Sequence, residues 1–186
     1  LLLEYLEADF YTRAMMTVPF PDAKAREGFG IITDHEAKHV KFLAKVIEST
    51  GRGAIARPRF DFSGGSGSGN GPFKDAFTNY GLFLAVSQTL EDTGVRAYKG
   101  QAPNLLGTGD VLTAALNIHS VEARHAAHVR EVRWMYGQVS GLKPWITGND
   151  TGGIGGLVAA SYAGEENTTQ AGIQITGING KSISPN

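Results

Sequence analysis

The sequence predicts an all-α protein: an antiparallel four-helix bundle with a long crossover between its second and third helices and an irregular C-terminal extension. Three observations carry this. Apolar residues recur at helical spacing in four segments separated by proline and glycine. Glu-x-x-His occurs at Glu36/His39 and Glu122/His125, and Glu-x6-Tyr at Glu4/Tyr11 and Glu91/Tyr98. These motifs are in register: Glu4 and Glu91 are 87 residues apart (91 − 4), Glu36 and Glu122 are 86 apart (122 − 36), so one helical hairpin is built twice.

The first helix covers residues 1 to 18, with Leu1, Glu4, Ala8, Tyr11, Met15 and Val18 on one stripe, and stops at Pro19. Asp22, after Pro21, caps a second helix that runs to about Thr50 and closes at Gly51. Its inward stripe is Phe29, Ile32, Glu36, His39, Leu43 and Val46 or Ile47. Gly28 and Gly30 each cost roughly 1 kcal/mol of helix propensity relative to Ala, which implies close backbone packing there. Residues 51–72 form the crossover, whose run from Ser63 to Gly71 reads as a mobile linker. A glycine-rich phosphate cradle is the sharper alternative, but no strand precedes the run and no Lys-Ser/Thr follows it.

A third helix begins near Pro72, with Tyr80, Leu84, Ser87, Glu91, Val95 and Tyr98 inward. The fourth opens after Asp110 and runs to about Tyr136, with Ala115, Ile118, Glu122, His125, Val129 and Val132 inward; Gly137 or Gly141 ends it. The domain therefore spans 1–138, and 139–186 is a Gly/Thr-rich extension packed on it. If each hairpin folds on itself, its turn lies midway between its two glutamates. Those midpoints are residue 20, between Pro19 and Pro21, and the Leu106–Gly107 junction, both in breaker-rich sequence.

Residues three apart share a helix face one turn from each other, so a carboxylate and an imidazole can reach the same ion. Ten Glu, five His and six Tyr in 186 residues give roughly 0.3 chance copies of either pattern, yet each occurs twice. Four carboxylates in a bundle core, Glu4, Glu36, Glu91 and Glu122, cost several kcal/mol each if ionised and unpaired. Two divalent cations offset that charge and leave a neutral core. Oxygen-rich coordination with one imidazole per ion, from His39 and His125, suits iron or manganese.

Other residues have weaker claims. Tyr11 and Tyr98 are candidate hydrogen-bond donors to the carboxylates, or plain buried tyrosines. Asp92 either holds an imidazole's second nitrogen or lies on a solvated face. His119, one turn before Glu122, is a candidate outer partner or alternative ligand. Glu7 competes with Glu4 for the first-helix position, but only Glu4 matches the tyrosine spacing and the hairpin midpoint.

A net charge of −1 gives no electrostatic footprint for nucleic acid or an anionic membrane, and no apolar run reaches the roughly 18 residues of a membrane span. The absence of Cys excludes disulfides and thiolate ligands while leaving the compartment open. The chain opens on Leu1-Leu2-Leu3, already in helical pattern, which implies a missing N-terminal portion that would have held any export signal. The end at Ser184-Pro185-Asn186 likewise implies further C-terminal sequence.

This pattern resembles the ferritin-like superfamily, which includes bacterioferritin, rubrerythrin and manganese catalase. More narrowly, the strings LLLEYLEADFYTRA, QTLEDTGVRAYKGQAP, SVEARHAAHVR and YAGEENTTQAG are similar to ferritin-like proteins related to plant desiccation proteins. The resemblance implies Glu4, Glu36, His39, Glu91, Glu122 and His125 as ligands of two iron or manganese ions, acting on oxygen or peroxide in stress protection. His35 and Val121 stand where some relatives carry an acidic residue beside the ligands, so metal binding is implied without the reaction. A structural or stress-related protein held together by its metals, and a self-associating assembly subunit, are the alternatives.

Overall fold

The computed structural model describes residues 1–183, so the Ser184-Pro185-Asn186 end lies outside the described residues. The chain is all-α, with four long helices: α1 (Leu2–Thr17), α2 (Ala23–Ser49), α3 (Tyr80–Gln101) and α4 (Asp110–Met135). Short 3-10 turns cover Ala102–Leu105 and Gly156–Tyr162, and a small hairpin pairs β1 (Thr169–Gln170) with β2 (Ile173–Gln174). Two compact units divide the chain, Leu1–Val86 and Ser87–Asn186, the boundary falling inside α3.

In the first unit α1 and α2 are joined by residues 18–22 and pack against each other as a helical hairpin. Asp22 accepts from the Ala25 amide at 2.7 Å, the expected cap of α2. The shared face is aromatic. Phe10, Tyr11, Phe29 and Phe83 are all fully buried, with Phe29 and Phe83 edge-to-face at 4.8 Å between ring centres. Phe62 of the crossover and Phe77, just before α3, add rings 5.6 and 5.2 Å from Phe10.

The glycine run departs from the expected linker, because it is wrapped around a single carboxylate. Asp61 accepts from the Ser63 hydroxyl at 2.6 Å and from the amides of Ser63, Gly67 and Gly69 at 3.0, 2.7 and 3.1 Å. The Ser63 hydroxyl first, then these amides, hold its pKa down at about 2. The amides do converge on an anion, as in a phosphate cradle, but the anion is the chain's own. Gly71 is required for this turn, since a Cβ there would lie 2.3 Å from the Gly65 nitrogen and the Ser63 carbonyl oxygen.

Two further expectations are corrected. Helix α3 starts at Tyr80, not near Pro72, because the Asn79 side chain caps it by accepting from the Leu82 amide at 3.0 Å, while residues 72–78 form turns that bury Ala76 and Phe77. Gly30 is not a close-packing site. A Cβ there would meet only the mobile end of Met15, at 3.5 Å, an ordinary contact.

In the second unit α4 opens from Gly109, with Asp110 as its first helical residue and its charge at the positive end of the helix dipole. It closes at Gly137, whose φ of +68° lets the Gln138 amide reach the Arg133 carbonyl and the Gly137 amide reach that of Trp134. The whole expected inner stripe of α4, from Ala115 to Val132, is buried.

Candidate metal centre

Each unit contains one Glu/Glu/His cluster. In the first, α1 supplies Glu4 and α2 supplies Glu36 and His39, and the His39 Nδ1 lies 3.3 Å from an oxygen of each glutamate. In the second, α3 supplies Glu91 and α4 supplies Glu122 and His125, with the His125 Nδ1 3.3 and 3.4 Å from their oxygens. Within either triad the ligand atoms all lie within 4.8 Å of one another. The four glutamates are at most 2% exposed, and His39 and His125 are 8% and 5% exposed.

These separations suit a shared cation. Donors each roughly 2.0–2.2 Å from one ion stand about 3.0–3.4 Å from their neighbours. The charge balance points the same way: one imidazole, even protonated, cannot neutralise two buried carboxylates.

The helices explain the placement. Glu-x-x-His puts both side chains on the inner face one turn apart, and the antiparallel link brings a glutamate of the partner helix to the same height. Glu7 is as buried as Glu4 but lies outside the cluster, so α1 presents Glu4 to His39.

Over residues 1–134 the chain matches the family model described as a ferritin-like domain. The chain belongs to the ferritin-like domain family. No curated protein and no solved structure gives a significant match. Among the described residues no helix of this ferritin-like domain protein is long and apolar enough to cross a membrane.

The remaining candidates have defined places. Tyr11 is fully buried against Phe29 and Phe83, and Tyr98 is half-buried on α3. The His119 Nδ1 stands 3.0 Å from the Val95 carbonyl, outside the triads. Asp92 is not on a solvated face, and its partners are a guanidinium and a phenol rather than an imidazole. It is 1% exposed, and its carboxylate accepts from Arg130 at 3.1 and 2.5 Å and from the Tyr162 hydroxyl at 2.7 Å.

Arg130, Arg133, Gln88 and Tyr162 are the residues that sequence reasoning missed. The Gln88 amide donates to the Tyr162 oxygen at 3.1 Å and to the Thr151 carbonyl at 3.2 Å, and Arg133 donates to Gln88. Burial works against the Arg130 charge, but the charge and hydrogen bonds of Asp92 help to outweigh it, and its pKa is raised. Burial, then the Asp92 charge, push the Tyr162 phenol well above its ordinary value, so it stays a donor. Gln88 one turn before Asp92, and Arg130 eight residues after Glu122, were signs that polar residues continue along the inner faces.

Proposed function

We propose that the two triads together hold two divalent metal ions, iron or manganese, in a dinuclear centre with Glu4, Glu36, His39, Glu91, Glu122 and His125 as ligands. The observation that carries this is the duplication: the same buried Glu/Glu/His geometry appears once in each hairpin. Four carboxylates against two divalent ions leave the interior neutral, and ligands from only two histidines leave positions for a small molecule. When bound, such a pair supplies redox chemistry toward oxygen or peroxide. The protein's residues fix the ions, exclude bulk water through the aromatic and aliphatic core, and keep Tyr11 on the ligand-bearing face of α1.

The reading extends to stress protection, by removal of oxygen or peroxide, with the domain at 1–138 and the extension at 139–186. The test is elemental analysis of purified protein together with peroxide consumption and oxygen uptake after iron and manganese loading. Turnover under one loading supports the redox role. Two bound metals without turnover under either loading leaves a structural role for the metals and removes the enzymatic one.

A further inference from the structure

Although the hairpins repeat their triads, they differ in what stands behind them. In each, the segment that follows the hairpin folds back onto its first helix. On α1 the contacts are Tyr5 and Asp9: the Tyr5 hydroxyl donates to the Ile55 carbonyl at 3.2 Å, and Asp9 pairs with Arg57. That backing is apolar near the triad, where Tyr5, Ala8 and Val40 pack with Leu1 and Phe60, and solvent-exposed at the ion pair, whose side chains are 31% and 45% exposed.

Adding the repeat distance of 87 converts Leu1, Tyr5 and Asp9 into Gln88, Asp92 and Arg96. Here the backing is polar and buried, and it comes from the C-terminal extension. Gln88, Asp92, Arg96 and Lys99 form one stripe of α3 at spacings of four, four and three residues. Arg96 donates to the Ala163 carbonyl at 2.6 Å and to that of Ser161, and pairs with the fully buried Glu165 at 2.5 Å. Lys99 reaches Gln170 at 2.5 Å. Arg130, from α4, bonds Asp92 and the Trp145 carbonyl, the latter at 3.3 Å.

We propose that the C-terminal extension is a positioning strap for the second triad alone, so that the two metal ions bind unequally and only the Glu91/Glu122/His125 ion depends on the extension. This rests on the dinuclear reading above. Asp92 is the chain neighbour of Glu91, and its carboxylate is fixed from two sides, by Arg130 of α4 and by Tyr162 of the extension, whose hydroxyl oxygen also accepts from Gln88. Fixing Asp92 fixes the turn of α3 that presents Glu91. Removing a direct hydrogen-bond partner of a metal ligand changes affinity by about 10–100-fold, and Asp92, which acts on Glu91 through the backbone of α3, is assigned the lower end of that range. Linkage then requires the converse, that occupying the second triad tightens the extension.

The experiment is titration of the full chain with Mn(II), read by metal stoichiometry and calorimetry, with amide hydrogen exchange of residues 146–165 as a second readout. His125→Ala identifies which binding step belongs to the second triad. Tyr162→Phe is expected to weaken that step about tenfold and leave the other unchanged. Tyr5→Phe, at the repeat-equivalent position, is expected to leave the second-triad step unchanged. Arg96→Gln removes the grip on Glu165 at a half-buried position and must act on the same step as Tyr162→Phe. Mn(II) is expected to slow exchange at 146–165 in the wild type. Two steps that both variants shift equally, or not at all, with exchange of 146–165 indifferent to Mn(II), overturn the strap while leaving the dinuclear reading intact. A wild-type chain that takes up no metal overturns both.

Discussion

Replacing Glu122 by Gln should stabilise the metal-free protein and weaken the metal-loaded one. Glu91 and Glu122 are fully buried, and the ligand atoms of their triad lie within 4.8 Å of one another. A protonated His125, 3.3 and 3.4 Å from their oxygens, would balance at most one of these two charges. At 4.8 Å and an effective dielectric of ~20, two ionised carboxylates repel by about 3 kcal/mol. The neutral isostere should therefore raise apoprotein stability by about 1–3 kcal/mol, or roughly 2–10 °C in Tm for a chain of this size. With metal the order reverses, because a ligand that binds only the native state contributes about 2.7 kcal/mol at a hundredfold excess over Kd, and the variant loses most of it. The assay is thermal denaturation followed by circular dichroism, in chelator and in Mn(II). A variant less stable than the wild type by the same amount in both conditions would refute the idea that these carboxylates are held together for a cation.

Three further outcomes are expected. Gly30→Ala should stabilise α2 by about 0.5–1 kcal/mol, since its new methyl meets only Met15, at 3.5 Å; a loss seen in urea denaturation would show close packing after all. The Asp61 contribution has a definite pH window. Its folded-state pKa, about 2, lies below the ordinary 3.8, so its support for the glycine turn is complete above about pH 4 and is lost as pH falls toward 2. Asp61→Asn should speed amide exchange at Gly67 and Gly69 at neutral pH, and the gap between variant and wild type should close on acidification; a gap constant with pH would contradict the linkage. Asp92→Asn leaves Arg130 buried without its ionic partner and should cost about 3–5 kcal/mol, measured by denaturant unfolding, whereas a neutral result would mean that water reaches the guanidinium.

Much of this architecture was legible because buried charge is conspicuous. Glu36 and His39 interrupt an otherwise apolar stripe at the spacing of one helical turn, and Glu122 and His125 repeat it 86 residues later (122 − 36). Pro19 and Gly137 mark helix ends through backbone chemistry that needs no tertiary context, and α1 and α4 stop there. The start of α3 was misplaced because Pro72 and Asn79 are both valid start signals, and the choice was made by Ala76 and Phe77 burying themselves in a non-helical turn. The network around Asp92 was illegible for a different reason. Tyr162 is 70 residues away from it in sequence, and nothing periodic links the two. The folded glycine run was hidden likewise, since composition alone does not reveal that its amides close on Asp61.

The central claim is tested most directly by counting metal ions per chain, by elemental analysis of the wild type, Glu36→Ala and His125→Ala. Two iron or manganese ions in the wild type, a sharp fall in both variants and unchanged helicity are the predicted result. The same stoichiometry in all three proteins would contradict it.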